Sequence, residues 1–166
     1  MTLTLLLVRH AKSDWETGRP DHDRPLNARG RRDAPRMGAW VAVRGLAPLE
    51  VLCSDAARTR ETLDLLLPAW APRPELSHHR ALYHAVPEAM LSVLEGAEAE
   101  RVAMIAHNPG IGQLAARLAR RAPDQPRWAD FPTCAVAALA FQAASWGAIR
   151  EGTGEVLAFA VPADLP

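Results

Sequence analysis

Thr2-Leu3-Thr4-Leu5-Leu6-Leu7-Val8, followed at once by Arg9-His10-Ala11-Lys12, is the stretch around which this chain is organised. A run of apolar and β-prone residues stops abruptly at two cationic side chains with an imidazole between them. Such a run reads as a strand buried on both faces, as in the middle of a parallel sheet. In an open α/β sheet, ligands bind just beyond the carboxyl ends of the central strands. Arg9, His10 and Lys12 are therefore expected to meet at an anion site.

Working outward, Ser13 to Pro25 is polar and rich in turn formers, and reads as a loop beside that site. A helix is expected from Asn27 as N-cap, with Ala34, Met37, Gly38 and Val41 as its buried stripe and Gly45 as C-cap. Pro35 implies that this helix starts late, near Asp33, or kinks there. Glu50-Val51-Leu52-Cys53 is a second strand, after which Ser54 and Asp55 offer N-caps to a helix through Leu67. A short strand is expected around Glu75-Leu76-Ser77, and a helix from Pro87 to Glu95, closed by Gly96. Arg101 to Ala106 is a third buried strand ending at His107, with Asn108 and Pro109 as an N-cap and N1 pair for the next helix. Cys134 to Phe141 and Glu155 to Val161 complete the strands. Alternating strands and helices predict one α/β domain over residues 1–166: a three-layer α/β/α sandwich with a mainly parallel central sheet.

Bulk properties narrow the classes. At 166 residues and 49% hydrophobic content, the chain can bury a real core. Formal net charge is zero, so neither nucleic acid nor a membrane surface is an expected partner. Lys12 is the only lysine among nineteen basic residues. Cys53 and Cys134 cannot form a disulfide framework and read as reduced, buried thiols. No Cys/His cluster has zinc-site spacing. The opening apolar run is too short for a signal-peptide core or a membrane span, which predicts a soluble cytoplasmic protein.

Three strand-to-helix junctions carry cationic or imidazole groups: Arg9-His10, Arg58 and His107. With the strands parallel and adjacent, all of them converge on one sheet edge, together with two helix amino ends that attract anions. Arginine forks suit phosphoryl oxygens. A histidine held between arginines is a reasonable nucleophile.

These residues carry a resemblance. Leu7-Val8-Arg9-His10-Ala11 resembles the Arg-His motif of the histidine phosphatase superfamily, whose fold is called phosphoglycerate mutase-like. Ser54, Arg58 and Thr62, spaced by four, resemble its second motif, and Ala106-His107-Asn108 its third. Arg9 to Trp15 and Asp21 to Gly30 are similar to the small bacterial branch named for the phosphohistidine phosphatase SixA. The resemblance implies that His10 is a nucleophile that becomes phosphorylated, with Arg9, Arg58 and His107 as its phosphate pocket and Lys12, Ser13 and Asn108 at the rim. It implies no metal and no cofactor. The substrate it implies is a phosphorylated protein, with phosphohistidine of a signalling or phosphotransfer protein first, or a small phosphorylated molecule.

Two departures matter. Ala11 stands where many members have glycine, and no recognisable acid follows Leu82-Tyr83-His84-Ala85, where mutase and acid-phosphatase members carry one. Glu88 is the nearest carboxylate and the possible acid. A weak or absent acid favours leaving groups that depart readily, such as the imidazole of a phosphoramidate. The competing readings are a small-molecule phosphomonoesterase or mutase, a non-catalytic phospho-ligand binding module, and a metal held by His10 and His107.

Overall fold

A computed structural model describes residues 1–166. The opening run forms strand β1 (Thr2–Arg9), with Leu5, Leu6, Leu7 and Val8 all fully buried. It is central, in a six-stranded sheet with the order β3-β2-β4-β1-β5-β6. The others are β2 (Glu50–Ser54), β3 (Glu75–His79), β4 (Arg101–Ala106), β5 (Val136–Gln142) and β6 (Glu155–Ala160). β1, β2, β3 and β4 run parallel, while β5 is antiparallel to β1 and β6 antiparallel to β5.

Side-chain alternation along β1 explains the layers. Leu3, Leu5 and Leu7 face one core with Met90 and Leu94 of helix α3 (Pro87–Leu94) and Ile111, Leu114 and Leu118 of helix α4 (Gly110–Leu118). Leu6 and Val8 face the other, with Ala34, Met37 and Val41 of helix α1 (Ala28–Val43) and Leu63 and Leu66 of helix α2 (Ala57–Leu66). Each such leucine contributes about 1.5–3 kcal/mol on burial. The fold is the expected three-layer α/β/α sandwich. No helix is long and apolar enough to cross a membrane.

Helix α1 corrects one expectation. It starts at Ala28, with the Asn27 side chain accepting from Gly30 N at 2.9 Å, and runs on past Pro35 to Val43. Packing of its buried stripe against the sheet and α2 outweighs the lost N–H of a single proline. Its end follows a Schellman pattern: Gly45 N donates to Ala42 O, and Leu46 N to Val41 O, with Gly45 at φ +69°. Two glycines allow close approaches. A Cβ on Gly38 would meet Leu66 O at 2.9 Å, and one on Gly30 would meet Lys12 O at 2.2 Å. The start of α1 is thus pressed against the segment that follows His10.

The caps of α2 and α4 also differ from expectation. Ala56, with no side-chain hydrogen bond, is the N-cap of α2, and Pro109 that of α4. Ser54, Asp55 and Asn108 make their main contacts elsewhere, as described next.

Candidate active site

Register aligns the ends of the three central strands, with Arg9 opposite Ala106 and Cys53 opposite Ile105. His10 and His107 therefore stand one step beyond one edge, beside Ser54, the last residue of β2. His10 is fixed by its backbone: its N–H donates to Ala106 O, and its carbonyl accepts from Cys134 N at 2.9 Å. Ala11 N donates to Thr62 Oγ1 at 3.0 Å, and that hydroxyl donates to Arg58 O at 2.7 Å. Thr62 lies one helical turn past Arg58, so a single face of α2 presents both.

His10 is buried, and its Nδ1 lies 2.7 Å from Ala11 O. A carbonyl only accepts, so Nδ1 carries the proton and Nε2 keeps its lone pair. Arg58 Nε approaches that Nε2 at 3.4 Å. Burial first, then the Arg58 and Arg9 charges, push the His10 imidazole down to about 3, despite the opposing hydrogen bond to Ala11. It is a neutral base beside two cations.

His107 packs against it, with ring centroids 5.3 Å apart. Ser54 Oγ lies 2.7 Å from His107 Nε2 and also accepts from Ala56 N at 3.4 Å. The buried Ser54 hydroxyl has one proton and no acceptor within hydrogen-bond distance other than His107 Nε2, so it donates there and the ring hydrogen lies on Nδ1. That atom is buried with no partner in the protein, as is Arg9 Nε. Buried polar atoms without partners are uncommon, and here two belong to residues that line the same cleft as His10. Burial, with His10 and Arg58 nearby, pushes His107 down to about 2, so it too is neutral. Arg9 Nη1 donates to Phe131 O at 3.2 Å. Asn108 Nδ2 donates to the same carbonyl at 3.0 Å, tying the two rim segments together.

The surrounding cleft, of about 210 Å³, is lined by Arg9, His10, Arg58 and His107 together with Lys12, Ser13 and Asn108. It also holds Trp15, Asp21, Arg24, His84 and Thr133. Arg24 is buried and donates to Ser13 Oγ at 2.8 Å and to Asp21 Oδ1 at 3.1 Å. Its guanidinium carbon lies 3.5 Å from the Trp15 ring centroid. Arg58 Nη1 and Nη2 donate to the Asp21 carbonyl and Oδ2, and the Tyr83 hydroxyl donates to that same Oδ2. Burial works to raise the Asp21 carboxyl, but Tyr83, Arg58 and Arg24 outweigh it and hold the group well below the usual carboxylate range. The loop over residues 13–25 is strapped across the cleft mouth, and His22 Nε2 to Asp55 Oδ1 at 2.8 Å is a second anchor.

Glu88 is not brought there. It is exposed on the first turn of α3, and its Oε1 lies 2.6 Å from Arg117 Nη1 of α4. That hydrogen bond lowers its carboxyl, which also makes it a poor proton donor. Asp21 and Arg24 fall in the 21–30 stretch that resembles the small bacterial branch, and His84 reads from sequence as no more than a rim residue; only the folded loop brings them to the strand ends. Ser54 and Thr62 had one: their spacing of four on either side of Arg58. Cys53 and Cys134 are buried free thiols, each pushed up to about 12 mainly by burial.

Such an arrangement can bind a tetrahedral anion and attack it from a neutral nitrogen. Residues 5–82 match the family model for the histidine phosphatase superfamily (branch 1). An uncharacterized protein of Mycobacterium tuberculosis is 32% identical over 165 residues, which is 93% of this chain and 99% of the relative. The structure of a candidate phosphohistidine phosphatase SixA from Nakamurella multipartitia superposes with a TM-score of 0.79 at 27% identity, over 98% of this chain and 97% of that one. A second such candidate, from Agrobacterium tumefaciens, gives 0.78 at 27% identity over 96% and 99%. Strand-end chemistry, fold and relatives agree, and the chain belongs to the SixA-like branch of the histidine phosphatase superfamily.

Proposed function

We propose that this chain is a phosphatase working through a phosphorylated His10, and that it removes phosphate from phosphohistidine in proteins. One observation carries the mechanism: His10 Nε2 keeps an unshared pair while its Nδ1 proton is held on Ala11 O. In the first step Nε2 bonds to phosphorus as the bond to the leaving group breaks. Arg9, Arg58 and the His107 Nδ1–H stabilise charge on the equatorial oxygens. Water then attacks phosphorus, releasing phosphate and restoring His10, so one hard displacement becomes two easier ones. The cations of the cleft supply the charge neutralisation, and the mechanism requires no metal.

The substrate class rests on the leaving group. No carboxylic acid stands in the cleft, since Asp21 is held ionised and Glu88 is elsewhere. A phosphoimidazole needs one proton on its ring to depart as neutral imidazole, which a weak acid can supply, whereas an alcohol leaving group asks for a stronger one.

The test is a rapid quench after mixing with a phosphoramidate or an aryl phosphate, followed by mass spectrometry of the His10 peptide. The expected result is phosphate on His10 in the wild type and loss of turnover in His10→Ala. An unlabelled peptide with undiminished turnover in His10→Ala would sink the mechanism. A higher rate on an alkyl phosphate than on a phosphohistidine protein would overturn the substrate class.

A further inference from the structure

His84 is the imidazole of the cleft to which the mechanism above gives no role, as it gives none to Lys12, Asp21 and Arg24. Its backbone sits at φ +52°, a region that side chains other than glycine rarely adopt. Its ring stacks on Tyr83 with centroids 4.0 Å apart and meets the His107 ring edge-on at 5.8 Å. Its Nε2 lies 3.2 Å from Asp21 Oδ2. That oxygen accepts from Arg58, whose Nε in turn reaches His10 Nε2. An aromatic stack, a strained backbone and a carboxylate thus hold one imidazole in the cleft that contains the nucleophile. Strain of this kind collects at functional sites.

We propose that His84 is the proton carrier of the reaction, as a catalytic residue that rests on the phosphohistidine mechanism above. Its imidazolium gives a proton to the leaving atom while the bond from phosphorus to that atom breaks and the bond to His10 Nε2 forms. The neutral His84 ring then takes a proton from the attacking water as the new P–O bond forms and the P–N bond breaks. Phosphate leaves, His10 is regenerated with its Nδ1 proton never moved, and His84 is again protonated. No other reactant is needed.

The remaining groups of the cleft support the assignment by their chemistry. Arg9, Arg24, Arg58 and Lys12 are guanidinium and ammonium groups, by type far weaker acids than an imidazolium. Asp21 is ionised and has none to give. His107 is buried and fixed on Ser54, and His10 is the attacking group. Ser13 Oγ accepts from Arg24, and an aliphatic hydroxyl is too weak an acid for the task. His84 is the more exposed partner of its ion pair, at 57% for the side chain, so its ring can reach an entering substrate and exchange protons with solvent.

The test compares kcat/KM of the wild type and His84→Gln across aryl phosphates, from nitrophenyl to unsubstituted phenyl. Loss of a general acid predicts roughly a 100-fold fall on phenyl phosphate and less than about threefold on nitrophenyl phosphate, whose leaving group departs without a proton. The variant's rates therefore fall more steeply with leaving-group basicity than those of the wild type. Equal losses on every ester would make His84 a packing residue, and no loss on any would make it a bystander; either result overturns the proposal. So does a wild type that labels on His10 but cannot turn over phenyl phosphate. Labelling of the His10 peptide separates the two levels. A wild type without label means the phosphohistidine mechanism has failed, whereas label on both proteins with parallel leaving-group dependence rejects only His84.

Discussion

Ser54 Oγ and His107 Nε2 lie 2.7 Å apart, and neither residue is more than 2% exposed. The hydroxyl sets which nitrogen of His107 carries the hydrogen, and so which atom faces a phosphoryl oxygen. Ser54→Ala leaves a buried ring nitrogen unpaired, at a cost of about 1–3 kcal/mol in stability. The variant should also turn over more slowly, because His107 loses its tautomer and its orientation. Denaturant midpoints in a double-mutant cycle check this: Ser54→Ala should cost much less when His107 is already Ala. Equal costs in the two backgrounds would show that the pair is not coupled.

Acid should destabilise the fold through His10 and His107. Burial pushes His10 down to about 3 and His107 to about 2, while an unfolded histidine titrates near 6.5. Between those values the unfolded chain binds more protons than the folded one, so unfolding becomes easier as pH falls. The stability is fully present above about pH 6.5 and is lost progressively below it. Urea midpoints at pH 7.5 and pH 5 should differ in the wild type, and the difference should shrink in His10→Asn. Each such proton contributes up to about 1.4 kcal/mol per pH unit. A midpoint that does not move over that interval would contradict burial of the two rings.

Gly30→Ala decides between helix propensity and packing by its sign. In an exposed helix interior the change stabilises by about 1 kcal/mol. Here the added Cβ falls 2.2 Å from Lys12 O, a backbone atom that also accepts from Asn27 N at 2.9 Å. Overpacking of this kind costs about 1–3 kcal/mol, and the segment after His10 must shift. Thermal unfolding should show a lower Tm, and turnover should fall although residue 30 touches no substrate. A raised Tm would mean the two segments can part without cost.

Glu88→Gln should leave kcat/KM unchanged within about twofold, as expected of a surface substitution remote from the chemistry. Glu88 is held by Arg117 outside the cleft. A fall of 100-fold on a poor leaving group would return Glu88 to the role of acid.

Much of this was legible in the chain because strand ends are punctuated. Arg9, Ser54 and Ala106 close their strands where apolar runs meet polar residues, which placed His10, Arg58 and His107 on one edge. The direction of β5 and β6 was not legible, since an apolar strand reads the same either way. The caps misled for a definite reason. Ser, Asp and Asn side chains bond whatever donor or acceptor lies nearest, and tertiary partners were nearer than the helix ends. Ser54 holds His107 and Asp55 holds His22, while Asn108 divides its amide, with Nδ2 on Phe131 O and Oδ1 accepting from Gly112 N in the first turn of α4. Asp21 lies 62 residues from Tyr83 and its neighbour His84, and only the folded strap brings it to them and to Arg58. Pro35 was read for its lost hydrogen bond, which is small beside the burial of the helix that contains it.

The cleft alters the meaning of a net charge of zero. Arg9, Lys12, Arg24 and Arg58 line it against the single carboxylate of Asp21, leaving three positive charges there and three negative ones over the rest of the chain. The molecule is neutral but polarised, with its positive end at the mouth of the cleft. Long-range fields of this kind orient charged partners before contact and raise encounter rates, an advantage that added salt removes as the Debye length shortens. A phosphoryl group presented on an acidic face is drawn in with the reacting end foremost.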